Sequence, residues 1–401
     1  MKIPLLIGGA TTSAVHTAVK IAPCYSGVVV HTRDVVLLPV VAQKLYNVST
    51  RESAIKDIKE EQKRLRFIHK HGNERMHMLE EARGLRPELC YTDMPPKFPG
   101  LHDLKVNVSE ARSYINWRAF FATWKLDASF ASIAEVKGCD HCRAQWLASM
   151  STKTIGKASE AMQLWKDAQV ALDYLQGNDL ALKARVVITP AVGRGDDIVC
   201  RYDDVELVLP MMRQQLASSS CLCLADFLKP ENASMENDWL GLFAVTVGES
   251  INNIVKRWQT DGDDYKALLY QSLADRLVEA ATEVVHRVVR KELWAYAQDE
   301  SENPGNRLLQ YYQGIRPAIG YPSLPDQSLI FETDKILHYA DMGIVITEHG
   351  AMNPSSSTTG LMFAHPDSRY FVLGPIGDDQ LTDYARRRNV EVEDIVKFLP
   401  M

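Results

Sequence analysis

The chain has 401 residues, 46% hydrophobic and 24% charged, with a net charge of −6. This length supports a large core and more than one domain. The acidic balance argues against general binding of nucleic acid or of an anionic membrane. No apolar run approaches the ~18 residues that a membrane span needs. The seven cysteines are odd in number and scattered, which indicates reduced thiols of a cytoplasmic protein.

The N-terminal segment alternates between strand-like and helix-like patterns. Residues 3–7 are continuously apolar, as in a strand that is covered on both faces, and Gly8 and Gly9 then turn the chain into a helix. A second apolar strand and a second helix follow. Two short parallel strands cannot cover both faces of a sheet or pair both edges. We therefore expect residues 1–48 to be the last part of a larger Rossmann-like domain.

Residues 49–90 form a predicted helical linker between two domains. Within it, residues 50–71 are typical of a charged helix with a thin apolar stripe. Prolines and a glycine cluster at residues 94–100, where the composition changes. We accordingly place the main domain at residues 91–401.

The main domain mixes strand-like segments with few intervening helices. Its strongest helix pattern covers residues 265–297, a second helix is predicted around 331–340, and two short helices close the chain. The strand-like segments are "RVVITPA", "DIVCRYDDVELVL", "CLADFL", "WLGLFAVTVG", "GIVITEH" and "SRYFVLG". The Ser/Thr-rich "NPSSSTTG" is interpreted as the link between the last two. This arrangement predicts an α+β fold around an antiparallel sheet.

Three short motifs have both a ligand-binding and a plain structural interpretation. Cys139 and Cys142 have the spacing of metal ligands, but a closed zinc site needs a second pair, so we interpret them as thiols in a loop beside a helix. The glycines around Arg194 lack the third glycine and the helix of a phosphate loop, and a turn between strands fits better. Gly8 and Gly9 precede a helix N-terminus, which favours anions, although such turns are common without a ligand.

The segment "QGIRPAIGYPSLPDQ", residues 313–327, is an unusually rigid loop around one arginine. Prolines fix the backbone and glycines permit close approach. A guanidinium held in this way suits a carboxylate or a phosphate. The alternative is that Arg316 ties the loop to a helix and binds no ligand.

The strongest helix carries a polar face. Its members are Asp275, Glu279, Glu283, His286 and Arg290. Such a face is normally solvated and carries i,i+4 pairs. If Arg316 instead binds the carboxylate of a zwitterionic ligand, Glu279 is placed to take the opposite charge.

The stretch from Arg316 to Pro322, "RPAIGYP", resembles the RPAxGYP loop in the reactivation domain of cobalamin-dependent methionine synthase. Further segments, "ARSYINWRAFFATWKL", "CLADF", "GLFAVT", "HPDSRYF" and "DYARR", match that family in the same order, and "PLLIGGATTS" is similar to the end of its cobalamin-binding domain. The resemblance covers nearly the whole chain. Residues 127–160 are the stretch least like the family.

The resemblance implies a fold and a function. The fold would be a C-shaped α+β domain around a twisted antiparallel sheet, preceded by a partial Rossmann-like βαβα segment. The function would be that of a methyltransferase module in methionine biosynthesis, which binds S-adenosylmethionine and presents its methyl group to reduced cobalamin. The implied partners are the cobalamin-binding domain, on the same or a separate chain, and a flavodoxin-type electron donor.

The resemblance also assigns roles to individual residues. Arg316 matches the arginine that holds the ligand's carboxylate, and Tyr321 matches a tyrosine beside the sulfonium, which we take as the catalytic residue. The other implied contacts to S-adenosylmethionine are Ala318, Gly320, Tyr370, Phe371, Asn116, Glu279 and Gln310. Gly8, Gly9 and Val35 match residual cobalamin contacts. The histidine that ligates cobalt lies upstream in the family, so cobalamin binding is expected only together with the upstream domain, and no metal site is expected here.

Three positions depart from the family pattern. Asn116 and Gln310 stand where the family has acidic residues, and Phe371 replaces the second tyrosine of a pair. The first two changes remove negative charge that would suit the ligand's ammonium group. The resemblance therefore implies weaker ligand binding than in other members, unless Glu279 compensates.

A different class of function remains open at this point. The same loop would serve a stand-alone protein that binds S-adenosylmethionine or docks on a separate corrinoid protein. An independent methyltransferase is less well supported, because the sequence has no glycine loop of the Rossmann methyltransferase kind.

Overall fold

A computed structural model of the chain describes residues 3–8, 13–32, 38–47, 51, 54–59, 61–62, 65, 76–136, 138–178, 180–216, 220–232, 238–301 and 312–399. The chain divides into two compact units, Met1–His77 and Met78–Met401. The domain boundaries that we placed after residues 48 and 90 stay predictions.

The first unit contains the predicted βαβα segment. Its elements are β1 (Leu5–Gly8), α1 (Ala14–His16), a π-turn (Thr17–Ile21), a 3-10 turn (Ala22–Cys24), β2 (Val29–Thr32) and α2 (Leu38–Tyr46). The strands β1 and β2 run parallel, with Leu5 opposite Val29. Ser13 starts the helical connection, because its hydroxyl oxygen accepts a hydrogen bond from His16 N at 3.0 Å. Of the predicted connecting helix, the described residues 51, 54–59, 61–62 and 65 are all helical.

The second unit is built on one large sheet. Its strands are β3 (Gly100–Asn107), β4 (Ala181–Arg194), β5 (Asp197–Tyr202), β6 (Val205–Pro210), β7 (Asp238–Thr246) and β10 (Ser357–Met362), with a small separate pair, β8 (Val345–Ile346) and β9 (Met352–Asn353). The order is β10-β7-β4-β5-β6, every pairing is antiparallel, and β3 pairs with the first half of β4. The predicted α+β class with an antiparallel sheet is therefore confirmed.

Helices cover both faces of this sheet. They are α3 (Leu79–Gly84), α4 (Val108–Arg112), α5 (Trp117–Thr123), α6 (Asp140–Ala148), α7 (Ile155–Gly177), α8 (Gly248–Thr260), α9 (Asp264–Val288), α10 (Leu329–Leu337), α11 (Asp378–Arg388) and α12 (Val392–Val396). Short 3-10 turns lie at Ala128–Glu135, Leu224–Phe227 and Tyr339–Met342, and a π-turn at Val289–Leu293 extends α9. Among the helices of the described residues, none is both long and apolar enough to cross a membrane.

Side-chain alternation along the strands creates two cores. Val186 of β4 and Phe243 of β7 pack on one face, in a core that also contains the apolar sides of α7 and α9. Val187 follows Val186 in β4, and Leu242 precedes Phe243 in β7. These two residues pack on the opposite face of the sheet, together with α10. Because successive strand residues point to opposite faces, one sheet supports both cores.

Three predictions for individual elements are wrong. "CLADFL" forms a 3-10 turn, since the Asp226 carboxylate accepts a hydrogen bond from Cys223 N at 2.9 Å and bends the backbone. "SRYFVLG" is not a strand, and Leu373 N bonds to Pro322 O at 3.0 Å. The supposed link "NPSSSTTG" contains the start of β10, where the Thr359 hydroxyl donates to Phe243 O at 2.7 Å.

A buried ionic network joins distant parts of the second unit. The Arg213 side chain is 0% exposed and donates to Asp226 through both terminal nitrogens, at 2.7 Å each. It also donates to Asp196 at 2.7 Å, and Arg83 connects Asp196 to Asp383 at 2.7 and 2.8 Å. Every charge in this set has an opposite charge within hydrogen-bond distance.

The network also makes stability depend on pH. Burial opposes the ionisation of Asp196, but Arg213 and Arg83 outweigh it and hold the pKa of that carboxyl below its usual value. A folded-state pKa below that of the unfolded chain stabilises the protein above about pH 4, and the contribution is lost as the pH falls through the folded value.

We expect Arg213→Ala to lower the free energy of unfolding by about 3–5 kcal/mol, because the buried Asp226 loses its hydrogen-bonded guanidinium partner and the buried Asp196 keeps only Arg83. Arg201→Ala is the matched control. Arg201 pairs with Glu206 at the surface, where the side chains are 70% and 44% exposed, so its loss should cost less than about 1 kcal/mol. Urea unfolding at neutral pH measures both, and equal losses would contradict the prediction.

Candidate functional site

A cavity of about 1000 Å³ lies between the start of α5, the middle of α9 and the rigid loop of residues 313–327. Of the residues singled out from the sequence, it is lined by Asn116, Glu279, Glu283, Arg316, Ala318, Tyr321, Tyr370 and Phe371. They come from four separate stretches of the chain. The fold therefore brings the predicted contacts together at one place.

The loop is fixed on the edge of the large sheet by main-chain hydrogen bonds. Leu361 N of β10 donates to Pro317 O, and Ile319 N donates to Thr359 O, both at 3.0 Å. Ile315 and Phe363 exchange two further bonds of 3.0 and 2.9 Å. The loop backbone thus behaves as a short extra strand, so the side chain of Arg316 starts from a fixed point.

Gly360 allows this close approach. A Cβ atom at this position would lie 2.2 Å from Pro317 O and 2.7 Å from Ala318 Cα. Both neighbours are backbone atoms, which cannot move aside without displacing the loop. The loop can therefore reach its position at the cavity only with a glycine at position 360.

Arg316 makes an ion pair with Glu283, a residue of α9. The two side chains are only 17% and 18% exposed. Burial opposes the charge on Arg316, but the neighbouring Glu283 outweighs it, and the pKa of the guanidinium rises above its ordinary value. Arg316 Nε is buried and has no hydrogen-bond partner among the described residues. The guanidinium is therefore charged, fixed and only partly used by the protein.

Glu279 lies one helical turn before Glu283 and is 46% exposed, with its face toward the cavity. Partial burial raises the pKa of the Glu279 carboxyl. Arg276, at 2.7 Å, and Arg316 partly offset this rise. Two carboxylates on one wall thus face one partly used guanidinium. Such a wall suits a ligand that carries both a cation and an anion.

Tyr370 supports the loop through its hydroxyl group. Its hydroxyl oxygen accepts a hydrogen bond from Arg316 N at 2.9 Å, which holds the backbone that carries the guanidinium. Burial raises the pKa of Tyr370, so the hydroxyl stays neutral. Tyr321 is 57% exposed at the cavity, and Phe371 also lines it while packing against the core.

Asn116 has a structural role in addition to its place in the cavity wall. It is the N-cap of α5, and its Oδ1 accepts a hydrogen bond from Ala119 N at 3.2 Å. This bond fixes the side chain at the start of the helix. An aspartate would cap the helix equally well, so the amide is not required by the fold.

Several of the sequence predictions lie elsewhere. Gly320 has φ +85° in the loop turn and faces Gln327 instead of lining the cavity, so its proposed contact stays a prediction. Gly8 ends β1, whereas Gly9, Val35 and Gln310 lie outside the described residues.

The polar face of α9 is not a solvated surface along its whole length. His286 is 0% and Arg290 3% exposed. Burial, with the charges of Arg290 and Arg316, lowers the pKa of His286 well below its ordinary value, so this imidazole is neutral. Sequence reasoning missed Glu283 as the partner of Arg316, although its i,i+4 spacing from Glu279 was a usable signal.

The cysteine motif is also placed differently from our interpretation. Cys139 is the N-cap of α6, and Cys142 lies within that helix instead of in a loop. Among the described residues, no group of three or more His, Cys, Asp or Glu side chains is arranged to hold a metal ion. The predicted turn lies between β4 and β5 and contains Gly195, with φ +64°, whereas Gly193 belongs to β4 and pairs with Ile198.

Comparison with known proteins gives the same result at the level of the family. The family described as "Vitamin B12 dependent methionine synthase, activation domain" matches residues 107–389. The chain belongs to this family. A solved structure described as "Crystal Structure of the MetH Reactivation Domain bound to AdoHcy" is similar to this activation domain with 32% sequence identity and a TM-score of 0.71. The match covers 80% of this chain and 97% of that one.

We expect Gly360→Ala to destabilise the activation domain by about 1–3 kcal/mol, because the added methyl group overpacks the contact between β10 and the loop. Gly156→Ala is the control: it lies inside α7, and its Cβ would meet nothing within 4 Å. That change should be neutral or stabilising. Urea unfolding measures the stability of both variants. If Gly360→Ala loses no more stability than Gly156→Ala, the loop adapts freely to the added methyl group.

Proposed function

We propose that the cavity binds S-adenosylmethionine and that the domain presents its methyl group to reduced cobalamin, in the reactivation of methionine synthase. One observation carries this proposal. A fixed, partly used guanidinium faces two carboxylates and two tyrosines in one cavity, in a chain 32% identical to a reactivation domain with bound AdoHcy.

The charges of the cavity fit the amino-acid part of such a ligand. Arg316 lines the cavity and would hold the carboxylate through its guanidinium group. Glu279 would take the ammonium group, and Asn116, which also lines the cavity, would assist it. A volume of about 1000 Å³ also leaves room for a nucleoside.

The pair of Arg316 with Glu283 gives the ligand a preformed site. The guanidinium keeps its charge and its position before the ligand arrives, so little ordering remains to be done on binding. A carboxylate ligand would share the guanidinium with Glu283 instead of creating a new charge pair from solvent.

Positioning is the main chemical task of these residues. The sulfonium of S-adenosylmethionine is already an activated leaving group, and cobalamin in its reduced state supplies the nucleophilic metal centre. Arg316 and Glu279 would fix the ligand at two points. Tyr321, proposed as the catalytic residue, and Tyr370 would place aromatic faces beside the positive sulfur. The rigid loop would hold the methyl group in one direction and exclude water.

The wider assignments rest on the family resemblance. Gly8, Gly9 and Val35 would contribute residual contacts to cobalamin, whose binding domain would be supplied by the same or a separate chain. A flavodoxin-type protein would deliver the electron, in the cytoplasm. Ala318, Gly320, Phe371 and Gln310 complete the proposed contacts to S-adenosylmethionine.

We expect S-adenosylmethionine to bind the chain, and Arg316→Ala to weaken binding about 30-fold, which corresponds to about 2 kcal/mol for a charge-assisted hydrogen bond. Arg369→Ala serves as the control, since Arg369 is exposed and does not line the cavity. Isothermal titration calorimetry measures the affinities, and urea unfolding checks that each variant is folded. Unchanged affinity in folded Arg316→Ala would exclude this assignment.

We expect Asn116→Asp to strengthen binding about fivefold, because a charged partner for the ammonium adds about 1 kcal/mol over a neutral one. Asn107→Asp is the matched control: it adds the same charge at the N-cap of α4, outside the cavity. Calorimetric titration of both variants gives the comparison. Equal affinities for wild type and Asn116→Asp would show that position 116 does not face the ammonium.

Transfer of the methyl group is tested separately from binding. The chain is mixed with a cobalamin-loaded synthase that lacks this domain, a reductant and S-adenosylmethionine labelled in its methyl group. Appearance of the label on cobalamin is the expected result. Intact binding without transfer would favour the alternative, in which the chain is a stand-alone S-adenosylmethionine-binding or docking protein for a separate corrinoid protein.

A further inference from the structure

Cys139 and Cys142 share the first turn of the nine-residue helix α6. The backbone of Cys139 is extended, with φ −91° and ψ 147°, as is usual for an N-cap residue. This conformation directs its side chain back over the turn, where Sγ accepts a hydrogen bond from Cys142 N at 3.1 Å. The hydrogen bond places the sulfur of Cys139 against the backbone of Cys142, so both thiols belong to the same turn of the helix.

The surroundings make the two thiols unequal. The hydrogen bonds from the side chain and backbone of Cys142 lower the pKa of Cys139, and Arg143 contributes a further positive charge. Arg143 is held in place by bonds to Gly138 O at 2.9 Å and to Asp140 at 2.6 Å. The contact with Cys139 raises the pKa of Cys142. Cys139 is thus the better nucleophile of the pair, because the thiolate is the reactive form.

Solvent can reach this pair, unlike most of the other thiols. Cys139 is exposed and Cys142 is half-buried, whereas Cys200, Cys221 and Cys223 are buried. Burial raises the pKa of Cys200 to about 12, which makes that thiol unreactive. Cys90 is also exposed, but the sequence has no second cysteine within three residues of it. Cys90 is therefore a suitable internal reference.

We propose that Cys139 and Cys142 form a redox-active dithiol, which closes into a reversible intramolecular disulfide by exchange with a small-molecule disulfide. This goes beyond the proposed S-adenosylmethionine site, which does not use either cysteine. The assignment rests on the spacing, the N-cap geometry and the hydrogen bond from Cys142 N to Cys139 Sγ.

The exchange has two steps. The Cys139 thiolate attacks one sulfur of the small disulfide, whose S–S bond breaks, so that one small thiolate leaves and a mixed disulfide remains on Cys139. Cys142 then loses its proton to solvent, and its sulfur attacks Cys139 Sγ. A disulfide forms between the two cysteines and the second small thiolate leaves. The protein loses two electrons, and the small disulfide is reduced to two thiols.

The test uses the reduced full chain and oxidised glutathione at neutral pH. After exposure, free thiols are alkylated and the chain is digested with trypsin, which releases residues 138–143 as one peptide containing both cysteines. We expect this peptide to carry an internal disulfide, to escape alkylation and to return to two alkylated thiols after treatment with dithiothreitol. The Cys90→Ser control should give the same yield of disulfide.

Single variants test the order of the steps. Cys142→Ser should accumulate glutathione on Cys139 at least about tenfold faster than on Cys90, because its second step is blocked. Cys139→Ser should leave Cys142 no more reactive than Cys90. Circular dichroism checks the fold of both. Two alkylated cysteines in the wild-type peptide, while Cys90 carries glutathione, would overturn the proposal, as would equal rates at Cys139 and Cys90 in Cys142→Ser.

Discussion

The hydrogen bonds between residues 315–319 and β10 determine where the loop presents its groups to the cavity. They attach a segment without regular structure of its own to the edge of the large sheet, where its backbone is as fixed as that of a strand. Arg316 and Ala318 take their positions from this attachment, and the Tyr370 hydroxyl adds a hydrogen bond from Arg316 N. The approach is possible only because Gly360 has no side chain. The chemistry of the loop therefore depends on a residue of the neighbouring strand.

Electrostatic balance in the cavity follows from the helix that faces the loop. Glu279 and Glu283 lie one turn apart on α9, so both reach the same space as Arg316. Glu283 balances the charge of the Arg316 guanidinium in an ion pair. Glu279 faces the cavity, and the pKa of its carboxyl is raised. Arg276 pairs with Glu279 as Arg316 does with Glu283, so the charges are balanced, which suits a ligand with both an ammonium and a carboxylate group. Further along the helix, His286 stays neutral, since burial and two arginines oppose its protonation.

Much of this arrangement could be predicted from the sequence, and the failures have physical causes. The loop around Arg316 and the strong helix were recognisable from their prolines, glycines and apolar spacing. The strand β10 was missed because its Ser and Thr side chains are typical of a linker. In the structure such side chains bond to the sheet, as Thr359 does with Phe243 O. The sequence predicted a solvated face for His286 and Arg290, because it does not indicate what packs against a helix. Both side chains are buried. The pair of Arg316 with Glu283 needs the tertiary fold to become visible.

The network around Arg213 has a consequence for the order in which the chain can acquire its structure. Arg83 and Asp383 are separated by 300 positions, and both belong to one connected set of charges. During synthesis from the N-terminus, Asp196, Arg213 and Asp226 emerge long before α11 does. Contacts of such long range are slow to form, because the intervening chain must be ordered first. Until α11 arrives, Arg83 lacks one of its carboxylates, so the second unit can reach its final state only after the last helices have left the ribosome.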